Sequence, residues 1–133
     1  MKWYLASRFK QRELIQELTK ALVMKGETVV YEWTRLGSLK PYNKNKDQST
    51  VIAGEVARSF DGIDVFVLIS DEAGTDMFVE LGLAIGESLR SEDMRIYIVG
   101  EHNDRSLMHF HPSVIRVENL EDVFNKESID IKL

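Results

Sequence analysis

Glu80 stands inside the run Met77-Phe-Val-Glu-Leu-Gly-Leu-Ala84, with apolar residues on both sides. A carboxylate so placed either turns to solvent at a gap in the apolar face or sits near a core, where an unpaired charge is costly to hold. In the second case the acid is an expensive residue to keep for packing alone, which marks Glu80 as a candidate for chemistry. The turn before it is also distinctive. Gly74 permits close backbone approach, Thr75 or Asp76 can cap the helix that carries Glu80, and Asp71 adds a second carboxylate upstream.

A second constellation, Ser7-Arg8-Phe9, follows the first apolar run of the chain. A serine hydroxyl, a bidentate arginine and the free N–H groups of a following helix can hold a phosphate-sized anion. The same residues also read as a helix cap with a solvated arginine. Trp33, Tyr4 and Phe9 have faces on which a base could stack, and each can equally be core; Trp33 is favoured for stacking because it ends its strand beside a loop. His109 and His111 alternate as two residues on one strand face would. Zinc wants three or four protein ligands, so a pair without a third makes a poor metal site. A proton donor or a subunit contact is the better reading of His109.

The elements that must position these groups alternate along the chain. Strands are expected at Trp3–Ala6, Thr28–Trp33, Ile63–Ile69, Met94–Val99 and Val114–Val117. Helices are expected over 10–25, 49–61, 75–90 and near 120–124, with Leu14, Ile15, Leu18, Leu22 and Val23 at helical spacing in the first. The nearly all-apolar Ile63–Ile69 reads as a central strand covered on both faces. Strands alternating with helices imply an α/β fold, a flavodoxin-like or Rossmann-like three-layer sandwich around a five-stranded parallel sheet. The irregular stretch 34–49, with Gly37, Pro41 and four basic residues, is a functional or a disordered loop. In such a sheet ligands bind outside the carboxyl ends of the strands, where strand order reverses. This places Ser7-Arg8, the 70–75 loop and the Gly100–Asn103 turn at the site.

At 133 residues the chain is expected to be one domain, 1–133. It has no cysteine, which excludes disulfides and thiolate chemistry. A net charge of −5 argues against a nucleic-acid polymer as partner, since phosphate-rich polymers call for a basic footprint. The opening Met-Lys-Trp-Tyr-Leu-Ala is too short for a secretory leader, and no apolar run approaches the length of a membrane span. A cytoplasmic protein without membrane attachment is the expectation.

The segment from Asp64 to Ala84 resembles the core motif of the nucleoside 2-deoxyribosyltransferase family, which includes the deoxynucleoside 5′-monophosphate N-glycosidases. Asp64-Val-Phe-Val-Leu-Ile is similar to the family's strand, Ala73-Gly-Thr-Asp to its turn, and Val79-Glu80-Leu-Gly-Leu-Ala84 to its Glu-Leu-Gly-x-Ala helix. Trp3-Tyr-Leu-Ala-Ser-Arg-Phe9 is similar to its Tyr-Leu-Ala-Gly start. The resemblance implies that Glu80 attacks C1′ of the sugar, displaces the base and forms a glycosyl ester that water or a second base resolves. With Ser7, Arg8, Gly74 and Thr75 expected around the sugar or phosphate of a small nucleoside or nucleotide, Phe9, Trp33, Asp76 and Met77 are further candidates for substrate binding, and no metal or organic cofactor is implied. The resemblance further implies a homo-oligomer, in which His109 or Asn103 could complete a neighbour's site. The chain departs from the family at the helix before the central strand. Where an aspartate is usual, Val51-Ile-Ala-Gly-Glu55-Val-Ala-Arg58 offers only Glu55, with Asp71 and Asp76 as other candidate partners.

Overall fold

The computed structural model describes residues 1–133. The strands are β1 (Lys2–Ala6), β2 (Thr28–Val29), β3 (Val65–Ile69), β4 (Arg95–Val99) and β5 (Val114–Val117); the helices are α1 (Arg12–Met24), α2 (Lys46–Ser59), α3 (Asp76–Ser88) and α4 (Leu120–Glu127). All pairings are parallel, and the strand order is β2-β1-β3-β4-β5. This is the α/β three-layer architecture expected from the alternation of elements, with the order of the flavodoxin-like variant. Strand order reverses between β1 and β3, so the crevice lies outside Ala6 and Ile69.

Side-chain alternation on the strands divides the core in two. Trp3, Leu5, Val65, Val67, Tyr97 and Val99 face α1 and α4, where they meet Ile15, Leu18, Leu22, Val123 and Phe124. Tyr4, Ala6, Phe66, Leu68, Ile96 and Ile98 face the other way and pack on Phe60 and on Met77, Leu81, Ala84 and Ile85 of α3. Every residue of β3 is buried, as a central strand between two helical layers requires. By contrast α2 buries none of its residues fully and lies over the sheet through partly buried Val56.

Three local readings are corrected. β2 stops at Val29, and Trp33 begins a short 3-10 helix, Trp33–Arg35. The indole N–H of Trp33 donates to Leu5 O at 2.7 Å and Gln16 Nε2 donates to Thr34 O, so side-chain bonds replace the ladder there. His109 and His111 do not alternate on a strand: residues Leu107–Phe110 form a 3-10 helix capped by Ser106 and His109. Finally, Ser7 caps no helix, because its hydroxyl donates to Arg8 O instead. The irregular stretch is ordered as a second short helix, Tyr42–Lys44, leading into α2.

Candidate active site

Glu80 occupies the second turn of α3. Its neighbours Met77, Leu81 and Ala84 are buried against the sheet, and Glu80 itself is half-buried at the border of that face. Beneath it lies Tyr4 of β1, fully buried. The Tyr4 hydroxyl faces the Glu80 carboxyl, yet their geometry falls short of a hydrogen bond and the hydroxyl has no partner. Burial and the adjacent carboxylate together push the Tyr4 phenol far above its ordinary range.

Two further phenol–carboxylate pairs stand beside this one. Tyr31, just after β2, donates to Glu55 of α2 at 2.7 Å, and Tyr42, in the loop before α2, donates to Asp76 at 2.7 Å. Both phenols are pushed up to about 12, by burial first and by the accepting carboxylate next. Asp76 and Glu80 are one turn apart on α3, the spacing at which side chains meet. Burial and then the Asp76 charge raise the Glu80 carboxyl to about 8, against the opposing pull of Tyr4. The free protein therefore holds Glu80 largely neutral at pH 7.

The remaining groups gather around Asp71, at the carboxyl end of β3. Its buried carboxylate takes Arg8 Nη1 at 3.1 Å, Lys10 Nζ at 3.1 Å and the Ala73 N–H at 3.0 Å. Arg105 Nη1 donates to its carbonyl at 2.9 Å. Burial works against ionisation here, but the Ala73 N–H, Lys10 and Arg8 prevail and hold Asp71 well below the usual carboxylate range. The Asp71 carboxylate is thus held ionised by two cations and a backbone N–H. Arg8 and Lys10 meet the Asp71 carboxylate and Arg105 its main-chain carbonyl, so three side chains able to hold an anion are gathered at the end of β3.

Other sequence candidates take varied places. Gly74 has φ +120°, and a Cβ there would stand 2.6 Å from Met77 Cε, so glycine is required where the turn closes on the buried Met77. Gly74→Ala is expected to cost about 1–3 kcal/mol by urea melts, from backbone strain and the displaced Met77. Thr75 precedes α3 without a side-chain cap bond. Trp33 packs on the α1 side of the sheet, away from Glu80, and exposed Phe9 carries the Arg12 guanidinium 4.8 Å from its ring centre. His109 is buried; its Nδ1 accepts from the Arg105 and Ser106 N–H groups, its ring lies 5.6 Å from Phe78, and Nε2 has no partner. Burial and Arg105 lower its basicity. No three His, Asp or Glu side chains come together as a metal site.

Tyr31, Tyr42, Lys10 and Arg105 were not singled out by sequence reasoning. Only Tyr42 carried a signal, its place in the irregular stretch before α2. Two hollows flank these groups. One of about 580 Å³ lies between Lys10, Ser70, Asp71 and His102; another of about 620 Å³ lies between Leu36–Leu39 and α2, with Glu55 in its wall. Glu80 lines neither, and only the second adjoins its cluster.

A scan against protein families gives no match, and a search of curated proteins gives none. Among solved structures the chain is similar to the CMP N-glycosidase BcmB of Clostridium botulinum. The superposition has a TM-score of 0.62 at 17% identity and covers 96% of this chain and 97% of that one. The likeness spans the whole fold, with no segment of either protein left as an unmatched domain.

Proposed function

We propose that the protein cleaves the N-glycosidic bond of a nucleoside 5′-monophosphate, or transfers its sugar to a second base, with Glu80 as nucleophile. The observation that carries this reading is Glu80 itself, a half-buried carboxylate at the strand-order reversal with a buried, unpartnered Tyr4 hydroxyl aimed at it. A fold shared along its whole length with a CMP N-glycosidase supports it, as does the Glu-Leu-Gly-x-Ala resemblance. In the proposed reaction a Glu80 oxygen bonds to C1′ as the C1′–N bond breaks, and the electron pair leaves with the base. Water or a second base then displaces Glu80. Arg8, Lys10 and Arg105 receive the phosphate, Tyr4 steadies the glutamate, and Glu55 takes the place of the family's aspartate beside the base. No metal or organic cofactor enters the scheme. The exposed Leu107, Met108 and Phe110 support self-association, to be read by light scattering.

The test is free-base release from a panel of nucleosides and their 5′-monophosphates. Release that requires the phosphate supports the reading. Tight binding without release moves the protein to a nucleotide-sensing role, and neither binding nor release removes both. A pH dependence follows. Only ionised Glu80 attacks, so kcat/KM is expected to rise with pH through an apparent pKa of about 8. Asp76→Asn removes the neighbouring negative charge, so the rising limb is expected to move to lower pH; a limb that stays in place sinks the assignment of Asp76.

A further inference from the structure

We infer that the Glu80 cluster selects a nucleotide whose base is itself positively charged, an N-alkylated or otherwise quaternary nitrogen heterocycle. The inference rests on the proposed reaction and names its substrate class. Glu55, Asp76 and Glu80 have no ion-pair partner within 4.0 Å, as is true of most carboxylates of the chain, so what marks these three is the set of phenols they gather around. Glu55 accepts from Tyr31, Asp76 from Tyr42, and Glu80 faces Tyr4. Lys40 holds its ammonium 5.9 Å from the centre of the Tyr42 ring and forms an ion pair with none of these carboxylates. The second observation is the Tyr4 hydroxyl, buried, without a hydrogen-bond partner and close beside Glu80.

The cations of the site are collected elsewhere, around Asp71. The carboxylates around Glu80 are thus left without a cation of their own, and a positively charged base would complement them. The hollow of about 620 Å³ walled by Glu55 adjoins these carboxylates and has room for a heterocycle. Chemistry favours the same substrate. A neutral base needs a proton before it leaves, whereas a cationic base departs neutral when the C1′–N pair moves onto its nitrogen. Glu80 takes the C1′ bond, water then splits the ester, and one proton goes to solvent. A cation beside Glu80 also favours its ionised form, so the substrate on arrival charges the nucleophile that the free protein keeps neutral.

Two matched pairs test this: nicotinamide mononucleotide against its 1,4-dihydro form, and 7-methylguanosine 5′-monophosphate against guanosine 5′-monophosphate. A cationic base is the better leaving group even without a protein, so affinity rather than rate decides. On Glu80→Gln the cationic member of each pair is expected to bind at least about tenfold tighter, ~1.4 kcal/mol. Adding Asp76→Asn and Glu55→Gln should bring each pair to within about threefold, since the attraction is Coulombic. Thermal shift on the native protein repeats the comparison without any substitution. Equal affinity within each pair, or no binding of any member, overturns the inference. If neutral nucleotides bind as well and still lose their base, the proposed reaction stands without it. Selective binding of the cationic members with no base release supports the charge selection and removes the reaction.

Discussion

Glu80→Gln is expected to reduce base release by at least about 10³-fold while leaving the fold and nucleotide binding nearly intact. The size follows from the role. An amide cannot supply the anionic oxygen that bonds to C1′, and no other carboxylate occupies the Glu80 position above Tyr4. The expected mildness toward stability has a separate cause. With its carboxyl raised to about 8, Glu80 is mostly neutral at pH 7, and glutamine reproduces that neutral, similarly shaped side chain. Stability should stay within about 1 kcal/mol of the native protein, the usual range for substitutions away from a packed core. Base release assayed together with a urea melt checks both halves. A variant that keeps more than a tenth of the native rate removes Glu80 from the nucleophile's role.

The second large effect is structural and reaches the site from below. Phe66, the second residue of β3, is fully buried, with its ring 5.9 Å from both Tyr4 and Phe60. Removing a buried aromatic ring costs about 3–5 kcal/mol in lost transfer energy and residual cavity. Phe66→Ala is accordingly expected to lower Tm by roughly 10–20 °C in calorimetry. The Tyr4 ring rests on Phe66 and Phe60, so the cavity opens directly under the phenol that faces Glu80. Below its new melting temperature the variant should still lose activity, because Tyr4 gains freedom. Leu68→Ala, in the same strand and layer but outside the aromatic cluster, separates the two effects. It should lose comparable stability with a smaller loss of rate.

How much of this was legible in the sequence depended on how local each cause is. The apolar run ending at Ile69 announced a central strand because burial on both faces leaves no polar position. The α1 stripe of Ile15, Leu18 and Leu22 was equally plain from its spacing. Glu80 stood out because its neighbours are apolar. β2 was overextended because Val30, Tyr31 and Trp33 have strand-like side chains, while the bonds that end the strand run to Leu5 and Gln16, far off in sequence. The surroundings of Glu80 were hidden for the same reason. Tyr4, Tyr31, Tyr42 and Glu55 arrive from four separate segments, and no window of sequence contains two of the phenol–carboxylate pairs. Asp71 looked like a free acid because the side chains that occupy it, Arg8 and Lys10, lie more than sixty residues away.

The pairing of β1 with β3 has a kinetic side. Where these strands meet, Lys2 N donates to Asp64 Oδ2 across a sequence separation of 62. Neighbouring parallel strands cannot zip from a tight turn, so this seam closes only after a long loop has surrendered its freedom, and sheets joined in this way fold slowly. Tyr4 and Glu80 sit on opposite sides of that seam. Chains still in transit can carry a finished α3 with Glu80 on its surface while the phenol that belongs beneath it is elsewhere. Recovery of activity after dilution from denaturant thus becomes a clock for the sheet's last closure rather than for its helices.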